Sequence, residues 1–251
     1  GNLLNLELFS MIILIDIIEL IRKNMTRNNS FNFLEYLAEK TIVSADSQED
    51  QERIPSLTDL SSETGISLAS LREQLGVARA LGFIEVRPRT GIRRMPYRFA
   101  PAVIESLNYA ISCDRKYFDD FADLRRHVEA EYWKQAVGKL TEEDKEDLEK
   151  IVQQAWVKLQ GDPIRVPHSE HRELHIVIFK RLDNPFVTGI LEAYWEAYEK
   201  IGLSRYSDLS YLKDVWTYHN KIVSAICSGK VDESFQSMLD HMDLIEHRNN
   251  N

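Results

Sequence analysis

Between Ile54 and Met95 a succession of turn and capping residues leaves few folds open: IPSLTDLSSETGISLASLREQLGVARALGFIEVRPRTGIRRM. Ser56 to Thr64 predicts a short helix closed by Gly65, whose freedom at positive φ suits a tight turn between two helices. Ile66 is the apolar residue of that turn, and Ser67 is placed to N-cap the next helix. That helix carries Leu71, Leu75, Ala78 and Leu81 at three- and four-residue steps, one stripe facing a small core. Gly82 ends it. Phe83–Val86 then alternates as a strand, Arg87–Gly91 turns, and Ile92–Met95 returns as a second strand. A second helix able to enter a major groove, beside a two-stranded wing, is a winged helix-turn-helix, a DNA-reading geometry.

Charge agrees locally rather than globally. The 251-residue chain has a formal net charge of −9. Yet Arg72, Arg79, Arg87, Arg89, Arg93, Arg94 and Arg98 face only Glu73 and Glu85, a net of +5 over 27 residues. Local positive charge neutralises phosphates whatever the total. The alternative is a solvated, arginine-rich surface.

The N-terminus is different in kind. Leu8–Ile21 is strongly apolar, but Asp16 and Glu19 interrupt it and it is too short to span a bilayer. It lacks the basic leader and small-residue cleavage site of a secretory signal. Met11 and Met25 offer alternative starts. The expectation for residues 1–24 is an amphipathic helix packed on the protein or a partner subunit, with membrane association or a functionless extension as alternatives. The two cysteines, Cys113 and Cys227, lack metal-type spacing and fit a reduced, cytoplasmic setting.

The rest of the chain sets the fold class as mainly α. The divisions expected are an N-terminal extension (1–24), a winged helix-turn-helix domain (25–95), a linker (96–101) and an all-helical bundle (102–251). Phe31–Lys40 predicts the first helix of the DNA-binding domain, and Ser44–Arg53 an exposed acidic loop. Met95–Pro101, with two prolines, reads as the connection between domains. Beyond it, periodicity predicts helices near 102–112, 114–138, 142–160, 168–182, 185–203, 208–228 and 230–248. Asp114 and Thr141 are good N-caps, and Gly161-Asp162-Pro163, Asp183-Asn184-Pro185 and Ser228-Gly229-Lys230 are breaks.

Within that bundle four histidines stand out. His171 and His175 lie four apart on one helix, so their rings project from one face. His219 lies one turn from Ile222 and Val223, and His241 lies beside Met238, Leu239, Met242 and Ile245. Four imidazoles on inward faces of three helices suit a divalent ion such as Zn²⁺ or Ni²⁺. The alternative is four separate core or surface histidines. His127, His168 and His247 are assigned to the surface, with His168 a reserve ligand. His171-Arg172-Glu173-Leu174-His175 is not a zinc-protease helix. That motif needs glutamate directly after the first histidine, and Glu173 points about 200° away from His171. No phosphate-binding glycine loop, dinucleotide motif or nucleophile elbow occurs.

Taken together, these segments resemble a GntR-type transcriptional regulator of the FadR group, with a helical FCD ligand-binding domain, over about residues 31–248. Pro55-Ser56 with Asp59-Leu60 resembles the family's P-S-E-R-x-L-A opening. Leu71-Arg72-Glu73 resembles V-R-E-A-L, and Leu81-Gly82-Phe83-Ile84 the L-x-x-x-G-L-I approach to the wing. In the second domain Leu124-Arg125 with Glu129 resembles R-x-x-x-E, and Leu174-His175 with Asn184-Pro185 resembles F-H…N-P. His219-Asn220-Lys221-Ile222 with Ala225-Ile226 resembles H-x-x-I-x-x-A-I, and His241-Met242 the final H-L.

The resemblance implies His175, His219 and His241 as metal ligands. The family usually has aspartate where this chain has His171, so an ion here keeps its full +2 charge. Arg125 offers a second handle for a carboxylate. Two family arginines are absent from the DNA end, where Thr58 and Leu68 stand instead. The implied protein is a ligand-responsive transcription factor, not an enzyme: a homodimer on operator DNA, without membrane attachment. Arg72 would contact a base edge or phosphate, with Ser56, Thr58, Ser67, Ser70, Arg87, Arg89, Gly91 and Arg93 completing the DNA-binding surface. A small organic acid would bind at the histidine-held metal and alter operator affinity. The rivals are a metal-free, acyl-responsive regulator and a metal-dependent enzyme.

Overall fold

The computed structural model describes residues 31–43, 53–88, 91–201 and 208–249, with the side chains of 40–43 and 243–249 excepted. The N-terminal extension 1–24, the acidic loop short of Arg53 and Arg89 at the wing tip therefore lie outside the described residues. Two compact units are present: the chain passes finally from the first to the second between Met95 and Pro96, and residues 80–82 group with the second.

The first unit begins with α1 (Phe33–Val43), followed by β1 (Arg53–Ile54), α2 (Leu57–Thr64), α3 (Leu68–Ala80), β2 (Ile84–Arg87) and β3 (Gly91–Arg94). The expected capping holds in detail. Ser56 Oγ accepts from Asp59 N at 3.2 Å, and Gly65 closes α2 with φ 72°. Ser70 N donates to Ser67 Oγ at 3.2 Å at the start of α3. Gly82 turns the chain into the wing at φ 76°. Both wing strands sit one residue from their expected starts, and a third strand was not foreseen: β1 pairs antiparallel with β3, giving the order β1-β3-β2. Ile54, Ile84 and Ile92 from the sheet close a core with Phe33, Leu37, Leu60, Leu71 and Ala78.

The second unit is all helical among its described residues: α4 (Ala100–Cys113), α5 (Lys116–Val137), α6 (Glu142–Gln160), α7 (His168–Phe179), α8 (Pro185–Ile201), α9 (Leu209–Cys227) and α10 (Val231–Asn249). Asp114 does not open α5 as its N-cap. Its backbone ends α4, while its side chain accepts from Lys116 N at 2.9 Å. Thr141 and Asp144 form a reciprocal capping box on α6. Leu148, Leu159, Leu174, Ile178, Leu191, Trp216 and Ile226 are among the residues that fill the main core. A second cluster joins Leu107 of α4 and Phe118 of α5 to Tyr194 and Trp195 of α8. The approach of α8 to α4 requires Gly189. A Cβ there would lie 2.8 Å from Phe99 Cβ and 2.9 Å from Ala100 N.

Candidate functional site

Three helices of the second unit bring the four histidines together. α7 supplies His171 and His175, α9 supplies His219 and α10 supplies His241, and one ligand atom from each lies within 4.8 Å of the others. The His219 and His241 rings are 4.4 Å apart, centre to centre, and His171 and His219 4.8 Å. His175, His219 and His241 are buried, and His171 is half-buried. The cluster is walled by indoles. Trp195 stands 4.7 Å from the His171 ring and 4.9 Å from His175, and Trp216 stands 4.8 Å from His219.

The ring nitrogens fit a divalent ion. Buried and without hydrogen-bond partners are Nε2 of His171, Nε2 of His175 and both nitrogens of His219 and His241. Unmet buried polar atoms are costly, and so many in one place require a common partner. With metal–nitrogen bonds of about 2.0–2.1 Å, ligand atoms lie at most about 4.2 Å apart. The observed spread exceeds that by about half an ångström, within the reach of a side-chain adjustment. Burial, with the neighbouring imidazoles adding to it, holds His171, His219 and His241 well below the usual histidine range. They therefore present neutral lone pairs, the form a metal takes.

Behind His175 stands a buried pair on α5. His175 Nδ1 lies 3.2 Å from Glu129 Oε1, and Arg125 Nη1 lies 3.3 Å from Glu129 Oε2. Burial alone would raise the Glu129 carboxyl, but Arg125 and then His175 outweigh it and hold it below the usual range. A charged carboxylate at Nδ1 makes that nitrogen the donor and frees Nε2 for an ion. Arg125 is thus engaged with Glu129, and its Nε remains buried and unpartnered. Its guanidinium lies 4.3 Å over the Tyr194 ring. Sequence reasoning named Arg125 as a ligand handle, named Glu129 only as part of a family pattern without a role, and missed Trp195. The one available signal for Glu129 was its four-residue step from Arg125.

At the other unit, Ser56, Thr58, Ser67 and Arg72 are exposed and Ser70 is half-buried. The Ser56 and Ser67 hydroxyls are engaged as helix caps, and Ser70 Oγ accepts from Gln74 Nε2 at 3.4 Å. On the wing, Arg87 is exposed but pairs with Glu85 at 2.8 Å, and Gly91 adopts φ 84° opposite Arg87. Arg93 is half-buried. Arg94, expected to help bind DNA, instead donates to Leu37 O at 3.2 Å and ties the wing to α1.

Residues 120–244, which carry the whole histidine cluster, match the FCD domain family. This part of the chain is thus an FCD domain. Its fold is similar to that of a Streptococcus agalactiae GntR protein at TM-score 0.58 and 18% identity, over 78% of this chain and 89% of that one. Against E. coli McbR/YncC the TM-score is 0.47 at 16% identity, over 80% and 89% of the two chains. No curated protein matches the chain in sequence.

Proposed function

We propose that this FCD regulator reads a pseudo-palindromic operator as a cytoplasmic homodimer, and that a small carboxylate-bearing metabolite controls its affinity for DNA. The effector site would be an ion held by His171, His175, His219 and His241. The observation that carries this is the convergence of unpartnered ring nitrogens in one buried cluster. When bound, Zn²⁺ or Ni²⁺ would supply a Lewis-acidic anchor for a carboxylate. The acyl-responsive alternative asks for an apolar cavity, whereas the donors gathered at this point are polar and unmet.

Within the second unit, α8 joins the site to the residues that follow the wing in sequence. Tyr194 and Trp195 lie against Arg125 and the histidines. Near the start of the same helix, Phe186 packs edge-on against Tyr97 and Phe99, and Arg98 pairs with Glu192 at 2.6 Å. Residues 97–99 follow the wing directly in sequence, and the effector would alter operator affinity by differential binding to two states. Ser67, Ser70 and Arg72 would meet DNA from α3, Ser56 and Thr58 from the start of α2, and Arg87, Arg89, Gly91 and Arg93 from the wing. Among the described residues no helix is long and apolar enough to cross a membrane.

Selection of binding sites from random duplex DNA tests this, with wild type beside Arg72→Ala. Wild type is expected to enrich a two-fold-symmetric site, and the variant to lose it by about 1–3 kcal/mol of discrimination. If wild type enriches nothing, the operator-reading claim is wrong.

A further inference from the structure

Two buried N–H donors beside the histidines have no acceptor. Arg125 Nε and Trp195 Nε1 are each unpartnered, and the two residues are 3% and 2% exposed. They are neighbours, with the Arg125 guanidinium carbon 5.9 Å from the Trp195 ring centre. Both adjoin the histidine cluster, since the Trp195 indole touches the His171 and His175 rings. A donor orphaned in the interior loses its water without compensation, so this pair is set for oxygen atoms that arrive with a ligand.

Charge points the same way. All four candidate ligands are imidazoles, so a divalent ion among them keeps its full +2. Arg125 and Glu129, which adjoin the cluster, pair with each other and cancel. A buried charge of that size needs its counter-charge close by. One carboxylate supplies half of it.

We propose that the effector is a short dianion with two separated anionic groups, one received at the histidine-held ion and the other by the N–H groups of Arg125 and Trp195. The inference rests on the metal reading above and adds the ligand's charge, its two-ended form and Trp195 as a specificity-determining residue. A single-ended acid leaves one positive charge at the ion without a counter-charge.

Titration calorimetry on zinc-loaded full-length protein tests this with malonate, succinate and acetate. Malonate or succinate should bind at least about 10-fold tighter than acetate. Trp195→Phe keeps the ring and removes the donor. It should weaken the dianion about 10- to 100-fold, the worth of a hydrogen bond to a charged group, while acetate affinity and zinc content stay unchanged. Arg125→Lys keeps a cation for Glu129 but lacks Nε, and reads the same subsite should the indole variant fold poorly. Acetate binding as tightly as the dianions, or dianion affinity indifferent to both variants, overturns the proposal. Zinc content, measured first on the same samples, separates the failures: wild type unable to hold zinc brings down the metal reading and this inference with it.

Discussion

Glu129 decides which nitrogen of His175 is left for a metal. Its carboxylate is kept charged by Arg125 and lies 3.2 Å from Nδ1, so a proton held there leaves Nε2 bare. Glu129→Gln keeps the shape and removes the charge. Zinc affinity, read by competition with a chromophoric chelator, should fall about 10- to 100-fold, the usual loss for a partner of a ligating histidine. Unchanged affinity would mean that packing against Trp195 alone orients the ring. This difference in dependence also explains what could be read from sequence. A ligand must be a particular residue type, so His171, His175, His219 and His241 were visible from inward-facing helical positions. A partner behind a ligand can be any acceptor on any element. Glu129 lies 46 residues from His175, and Trp195 resembles an ordinary core indole.

At the scale of elements, one side chain at the start of α6 ties that helix to the end of α7. Asp144 is fully buried and completes the capping box with Thr141. It also accepts from Arg181 Nε at 2.9 Å and Nη2 at 3.1 Å, and pairs with Lys180 at 2.6 Å. Arg181 leads these contacts, and with Lys180 and Thr141 they outweigh burial and hold the Asp144 carboxyl far below the usual range. A group depressed in the folded state contributes fully above its unfolded value, about 3.9, and loses that contribution as pH falls towards the folded one. Asp144→Asn should therefore lower the melting temperature at pH 7, and the gap from wild type should shrink as pH drops below about 4. A gap that stays constant into acid would show that shape, not charge, makes the clamp. Thr141 was legible as a cap because its hydroxyl acts three residues away. Arg181 was not, being 37 residues distant in sequence. The same contrast governs the first unit: Gly65, Ser67 and Gly82 announce local turns, whereas the two-residue strand Arg53–Ile54 exists only because β3 offers it an edge.

On the scale of the whole molecule, the two units have separate cores, and only the second contains the histidine cluster. Without an ion, α7, α9 and α10 converge on imidazole rings with unmet polar atoms, and α5 adds Glu129 behind them. An ion present at a thousandfold excess over its dissociation constant stabilises the folded state by about 4 kcal/mol. In a helical unit of this size that corresponds to about 10 °C. Calorimetric melting with and without a strong chelator should therefore shift the transition of the second unit and leave that of the winged helix in place. A His175→Ala/His219→Ala variant, purified without nickel resin, should melt at the lower temperature from the outset and ignore the chelator. Should that variant keep a full complement of metal and the same chelator-sensitive transition as wild type, the ion is held elsewhere. The four histidines would then be core residues whose unmet nitrogens need another explanation.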